Sequence, residues 1–107
     1  MEARLPKSIE EFQQRYPKIW EAFDKLGEEC HENGGPLDER TRRLVKLGIA
    51  VGSQHEGAVH SAVRNAVAAG LAAEEIRHVA ILAITTIGWP AAYAALKWID
   101  ETIADSA

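Results

Sequence analysis

The residues of this chain that are best suited to chemistry are a glutamate and two histidines in one short stretch. Glu56 and His60 are four positions apart, and His55 directly precedes the glutamate. Residues four apart on a helix share a face, so the carboxylate and the imidazole are expected to meet. A carboxylate beside an imidazole stabilises its protonated form and orients the ring, as general acid–base catalysis requires. We therefore predict that Glu56 and His60 form a catalytic pair.

Three further residues extend this hypothesis. His55 is expected at a helix N-terminus, where the helix dipole disfavours a charged imidazole, and two unlike imidazoles near one carboxylate can divide the acid and base roles. We assign His55 to substrate binding together with Trp89, which follows a helix break and can line a small apolar pocket. His78, one helix further on, is predicted as a supporting catalytic group. Trp89 can equally be a core or subunit-interface residue, like Tyr93 and Trp98.

Each of the four polar candidates also has a purely structural explanation. Glu56 has the position of a helix-capping residue, and His60 flanks an apolar stripe on which it could be a hydrogen-bonded, half-buried core histidine. His55 can be an exposed loop end, and His78 follows Glu74 by four positions, which is the spacing of a simple surface pair.

The same residue types are also metal ligands. Glu56, His60 and His78 could bind zinc or iron, and bundle cores do hold carboxylate–histidine metal sites. The Glu-x-x-x-His spacing differs, however, from the Glu-x-x-His of di-iron bundles, and the sequence has one such motif. We predict no metal and no cofactor, and keep metal binding as an alternative.

Helix signals dominate the first third of the chain. Ser8 and Glu11 have the spacing of a capping box and predict the start of a first helix. Pro17 predicts that this helix ends near Tyr16 and that a second begins at the proline, which suits a first helical turn. Two glycines and a proline in the segment 31–36 then end the second helix.

The middle of the chain predicts two more helices. Asp38 can cap the third helix, and Gly52 with Ser53 marks its end. Ser53 and Glu56 repeat the capping-box spacing, which predicts a fourth helix over residues 54–69. Gly70 is a good C-terminal stop for that helix.

The last part of the chain predicts two helices on either side of Gly88. The first begins with acidic residues in its first turn and runs to about residue 87. Its segment 79–84 is apolar on every side, which predicts a buried central helix. Pro90 starts the final helix. Without any β-type alternation, the fold class is all-α, a compact domain of five to six helices.

Composition limits the classes of partner. The 107 residues, 47% of them hydrophobic and 26% charged, predict one globular domain over residues 1–107. A net charge of −4 argues against nucleic acid as the main partner. The apolar segments are too short to span a bilayer and the first residues lack an apolar signal core, so we expect no membrane association and a cytoplasmic location. The single cysteine, Cys30, cannot form an internal disulfide.

The stretch 44–98 resembles the core of the carboxymuconolactone decarboxylase family, which includes the alkyl hydroperoxidase D-like proteins. Three features carry the likeness: an apolar helix leading to the Gly52-Ser53 boundary, the Ala-Ala-Gly turn with two glutamates over residues 68–76, and the motif Gly88-Trp89-Pro90. The resemblance implies an alkyl hydroperoxidase D-like helical fold, with a family-like core over about 38–104.

Redox members of that family begin one helix with the motif Cys-x-x-Cys and carry a histidine four residues beyond the second cysteine. Anchored on the turn at 68–76, the first cysteine corresponds to His55, the second to Ala58 and the histidine to Ala62. The decarboxylase branch depends on a histidine that also corresponds to Ala62. By this registration the chain matches neither characterised site.

A rival registration, anchored on His60, places the two cysteines at Ser53 and Glu56, again without a thiol. A dithiol peroxidase is therefore not expected. The resemblance implies instead a cofactor-free lyase or isomerase for a small carboxylated or lactone metabolite; a non-catalytic ligand-binding or structural member, or a metal-binding protein, is the alternative. It also implies a homo-oligomer, a trimer or hexamer, for which the apolar segment 79–84 and the Ala-rich segment 91–95 suit close packing.

Overall fold

The computed structural model of the protein describes residues 5–106, which contain six α-helices and no strand. The helices are α1 (Lys7–Arg15), α2 (Pro17–Glu32), α3 (Glu39–Ser53), α4 (Glu56–Ala68), α5 (Ala73–Ile87) and α6 (Trp89–Ser106). The prediction of an all-α fold is confirmed. The chain divides into two compact units, Leu5–Asp38 and the part that begins at Glu39. The assignment of residues 1–107 to a single domain stays a prediction.

The first unit is a pair of helices joined at a proline. α1 ends at Arg15 and α2 begins at Pro17, as the proline predicts. The capping box predicted at Ser8 is wrong: the helix already begins at Lys7, and the carbonyl of Pro6 accepts hydrogen bonds from the first free amides. Four aromatic side chains run along this pair, with ring centroids 5.1–6.3 Å apart: Phe12, Tyr16, Trp20 and Phe23.

The second unit packs four helices around one core. α3 packs on α4 and α5, and α6 packs on the same two helices from the other side. Every helix and the α4–α5 turn contribute to the buried cluster: Leu47, Ala50, Val51, Val59, Val63, Ala66, Leu71, Ile76, Ala80, Ala95 and Ile99. The apolar repeats at three- and four-residue intervals on each helix produce this arrangement, because they give each helix one inward face.

Glycines end two of these helices as predicted. Gly70 follows α4 with φ +88°, and Gly88 separates α5 from α6 with φ +94°. Both values lie in the region that side chains with a Cβ rarely adopt, so the helices stop where glycine permits the turn.

The prediction that segment 79–84 forms a buried central helix is wrong for the single chain. Only Ala80 of this segment is buried, whereas Ile81 and Leu82 are 52% and 60% exposed. α5 packs mainly against α3 and α6, and this packing leaves Ile81 and Leu82 exposed. An apolar groove therefore runs between α3 and α5, with Val45 and Leu82 among its lining residues.

Candidate functional site

The predicted glutamate–histidine pair lies at the start of α4. Glu56 is the first residue of the helix and His60 follows one turn later. The carboxylate Oε2 of Glu56 is 3.0 Å from Nε2 of His60, within hydrogen-bond distance. The histidine side chain is 23% exposed and the glutamate side chain 57%. The pair is therefore anchored in the fold at the imidazole and open to solvent at the carboxylate.

The start of α4 is capped by His55 and not by Ser53. Nδ1 of His55 accepts a hydrogen bond from the backbone N–H of Ala58 at 3.1 Å. Ser53 belongs to the last turn of α3, where its hydroxyl donates to the carbonyl of Ala50 at 2.7 Å, so the capping box predicted at Ser53 and Glu56 is wrong. Because the histidine supplies the cap, the carboxylate of Glu56 is left for His60.

A residue from the far end of the chain holds the other nitrogen of His60. Thr102, 42 positions later on α6, places its Oγ1 against Nδ1 of the imidazole. The threonine is buried, with 4% of its surface exposed. Its Oγ1 also donates to the backbone carbonyl of Trp98, at 3.0 Å. The ring of His60 is thus fixed from both sides, by α4 and by α6.

This network indicates the position of one proton of the His60 ring. The hydroxyl of Thr102 has one hydrogen, and the carbonyl of Trp98 can only accept it, so Oγ1 accepts the Nδ1–H of His60. Nε2 then faces the carboxylate of Glu56 at 3.0 Å. A proton between Nε2 and Oε2 would join the two side chains in a hydrogen bond.

A second carboxylate stands beside the pair. Glu101, exposed on α6 next to Thr102, offers an oxygen that lies within 4.8 Å of the nearest ligand atoms of Glu56 and His60. The sequence analysis did not identify Thr102 or Glu101 as part of the site. For Thr102 the sequence does contain an indication: it continues the buried stripe of Ala95 and Ile99 on α6, and a hydroxyl buried there needs a polar partner.

The other two candidates lie elsewhere. His78 is exposed on α5 and lines the groove between α3 and α5. Trp89 is 58% exposed and stacks on Tyr93, with ring centroids 5.3 Å apart. Among the described residues, the hydrogen-bond partners shown for the Glu56–His60 pair come from α4 and α6, so the structure brings neither His78 nor Trp89 into this network.

A second polar feature is a cleft of about 280 Å³ between α3 and α4. Arg43 and Lys46 line it, and none of the described lining residues is acidic. The Nε of Arg43 is buried and has no hydrogen-bond partner within residues 5–106, although such donors are nearly always satisfied. Ala58 and Ala62, the positions matched above to a cysteine and a histidine, form part of the cleft wall.

These observations define a small α-helical protein whose polar centre is a hydrogen-bonded histidine flanked by carboxylates. The chain belongs to the carboxymuconolactone decarboxylase family, whose model matches residues 17–101. It is 28% identical over 89 residues to an uncharacterized protein of Methanocaldococcus jannaschii, which covers 82% of this chain and 85% of that protein.

The chain is also 35% identical over 57 residues to an uncharacterized protein of Haemophilus influenzae. That match covers 53% of this chain and 50% of the relative, so it spans about half the length of each protein. No solved structure matches the chain. Among the described residues, no helix combines the length and apolar character needed to cross a bilayer.

Proposed function

We propose that this member of the carboxymuconolactone decarboxylase family transfers protons at His60, as a cofactor-free lyase or isomerase acting on a small carboxylated or lactone metabolite. The observation that supports this proposal is the continuous chain from the carboxylate of Glu56 through His60 and Thr102 to the carbonyl of Trp98. A base or acid held at both ring nitrogens presents its proton in one fixed direction. The substrate class rests on family analogy.

The reactive proton in this proposal is the one shared by Nε2 and Oε2. When a carboxylate leaves as CO₂, the electron pair of the broken C–C bond remains on carbon, and His60 donates the proton that satisfies it. In an isomerisation the pair gives this proton to one carbon and takes a proton back from another. Glu56 compensates the positive charge that the imidazole carries while Nε2 holds the proton, and Thr102 keeps Nδ1–H engaged throughout.

The test is the substitution Glu56→Gln, which retains the side-chain shape and removes the charge. We expect the ¹⁵N resonance of His60 Nε2 to move toward that of an unprotonated ring nitrogen, because the partner of the shared proton is gone. Turnover in a panel of small carboxylates and lactones should fall by about 10²–10⁴-fold, the usual contribution of a general acid or base.

The matched control is Asp105→Asn, which removes an exposed carboxylate from α6 outside this network. It should change neither the resonance nor turnover. An Nε2 resonance that is the same in Glu56→Gln and in the wild type would contradict the proposal.

The cleft between α3 and α4 favours a second candidate function, the binding of a small carboxylate without catalysis. Among the described residues, the buried Nε of Arg43 has no acceptor, and this arginine lines the cleft. A carboxylate that bonds this guanidinium would satisfy the donor and neutralise charge. Thermal-shift titration with small carboxylates should then stabilise the wild type and not Arg43→Met. The exposed Lys97→Met is the control and should respond as the wild type does.

A further inference from the structure

One histidine and two glutamates lie close together and have the composition of a metal site. Glu56 and His60 come from α4 and Glu101 from α6, and one ligand atom of each lies within 4.8 Å of the others. Nδ1 of His60 is occupied by Thr102, which leaves Nε2 as the nitrogen that can bind an ion. One neutral imidazole and two carboxylates balance the charge of one divalent cation.

The spacing of the first two ligands is close to that of direct coordination. Nitrogen and oxygen ligands lie about 2.1 Å from a tetrahedral zinc ion and therefore about 3.4 Å from each other. Nε2 of His60 and Oε2 of Glu56 are separated by 3.0 Å, so a small separation of the two side chains would admit the ion. Glu101 is exposed, and its ligand oxygen lies within 4.8 Å of the other two ligand atoms.

The outer contacts of His60 support the same interpretation. Histidines that bind metals almost always donate their second ring N–H to a carboxylate, a carbonyl or another fixed acceptor, and this bond sets the tautomer and ring orientation. Here Nδ1–H is donated to Thr102, whose hydroxyl is in turn fixed by the carbonyl of Trp98. Nε2, which faces the carboxylate of Glu56, is therefore already oriented before an ion arrives.

We propose that Glu56, His60 and Glu101 bind one divalent transition-metal ion in place of the proton shared by Nε2 and Oε2. One nitrogen and two oxygens suit zinc, iron(II) or manganese(II) and leave positions open for water or a ligand. The ion and a proton compete for Nε2 of His60, so the metal-bound form does not carry out the proton transfer proposed above. This inference uses residues of the proposed acid–base site but also needs Glu101, which that function does not require.

The experiment is calorimetric titration of the chelator-treated protein with ZnCl₂. We expect one zinc ion per chain. Glu101→Gln should weaken zinc binding by at least about tenfold, and Thr102→Val by about 10–100-fold, the usual effect of losing an outer partner. Asp105→Asn, the matched control on α6, should bind zinc as the wild type does.

Two results for the site itself would overturn the proposal. They are the absence of zinc binding by the wild type and unchanged affinity in Glu101→Gln. Cys30→Ser excludes the exposed thiol as the binding site: loss of zinc binding in that variant would equally overturn the assignment. Circular dichroism of each variant verifies the fold. Failure of the metal site leaves the ¹⁵N result for Glu56→Gln unaffected, so the two proposals can fail separately.

Discussion

At the scale of single residues, His60 is defined by the two different partners of its ring nitrogens. Nε2 faces an exposed carboxylate, which a ligand or an ion can displace, whereas Nδ1 bonds a buried hydroxyl that is itself held by the carbonyl of Trp98. The first contact serves chemistry and the second serves orientation. Thr102 is in this sense a positioning residue, since it acts through the imidazole.

Thr102→Val tests that role. The valine has nearly the same shape but cannot accept the Nδ1–H of His60, and leaving a partly buried donor without an acceptor costs about 1–3 kcal/mol. We expect the free energy of unfolding, measured by urea denaturation, to fall within that range. Thr102→Ser keeps the hydroxyl and should fall less. Equal losses in the two variants would show that the methyl group, rather than the hydrogen bond, accounts for the effect.

Cys30 carries a prediction of its own. It is a free, exposed thiol on α2, in the unit Leu5–Asp38, while the start of α4 has no cysteine. A dithiol peroxidase needs two thiols that can close a disulfide after the peroxide is reduced. We expect no turnover of organic hydroperoxide with a dithiol reductant in a coupled assay. Turnover that Cys30→Ser abolishes would contradict this expectation.

At the scale of secondary-structure elements, the capping of α4 determines how the side chains of His55 and Glu56 are placed. His55 bonds the amide of Ala58, and Gly57 makes room for the ring: a Cβ there would lie 3.2 Å from Cε1 of the histidine. With the cap supplied from outside the helix, Glu56 takes the first helical position, where a carboxylate is favoured by the helix dipole. The cap therefore contributes to the geometry of the Glu56–His60 pair.

His55→Ala should cost about 1 kcal/mol of stability, the usual loss for a removed N-cap. His55→Asn retains an acceptor that can cap the same amide and should lose less. The decisive comparison is Ser53→Ala, measured by the same urea denaturation. If Ser53 were the cap of α4, its replacement would cost more than that of His55; the structure predicts the reverse order.

The helices show which parts of the architecture can be predicted from the sequence. Helix ends at Pro17, Gly70 and Gly88 were predicted because proline and glycine act through their own backbone. The Glu56–His60 contact was predicted because it is local to one helix turn. The bond from His60 to Thr102 crosses 42 positions and depends on how α6 packs on α4, which no local pattern specifies.

At the scale of the whole molecule, each unit leaves apolar side chains uncovered. In the unit Leu5–Asp38, α2 exposes a stripe at helical spacing: Ile19, Phe23 and Leu26 are 58–60% exposed. In the four-helix unit, Leu82 is 60% exposed beside the groove between α3 and α5. Large exposed apolar patches on a small protein mark surfaces that associate.

Homo-oligomerisation, as a trimer or hexamer, follows as the prediction at this scale. Size-exclusion chromatography with light scattering at micromolar concentration should return three or six times the 11.7 kDa mass of the chain. Leu82→Lys places a charge on the exposed apolar side of α5 and should lower that mass, because an unpaired ammonium is costly to bury in an interface. Ala104→Lys adds the same charge at an exposed position of α6 and should leave the assembly intact.

A monomeric wild type would contradict the prediction, and an unaltered assembly of Leu82→Lys would exclude the α3–α5 groove as its interface. Assembly through this groove would also explain why segment 79–84 of α5, which is apolar on every side, is only partly covered in the single chain. The neighbouring copy would complete the burial that the sequence pattern predicts.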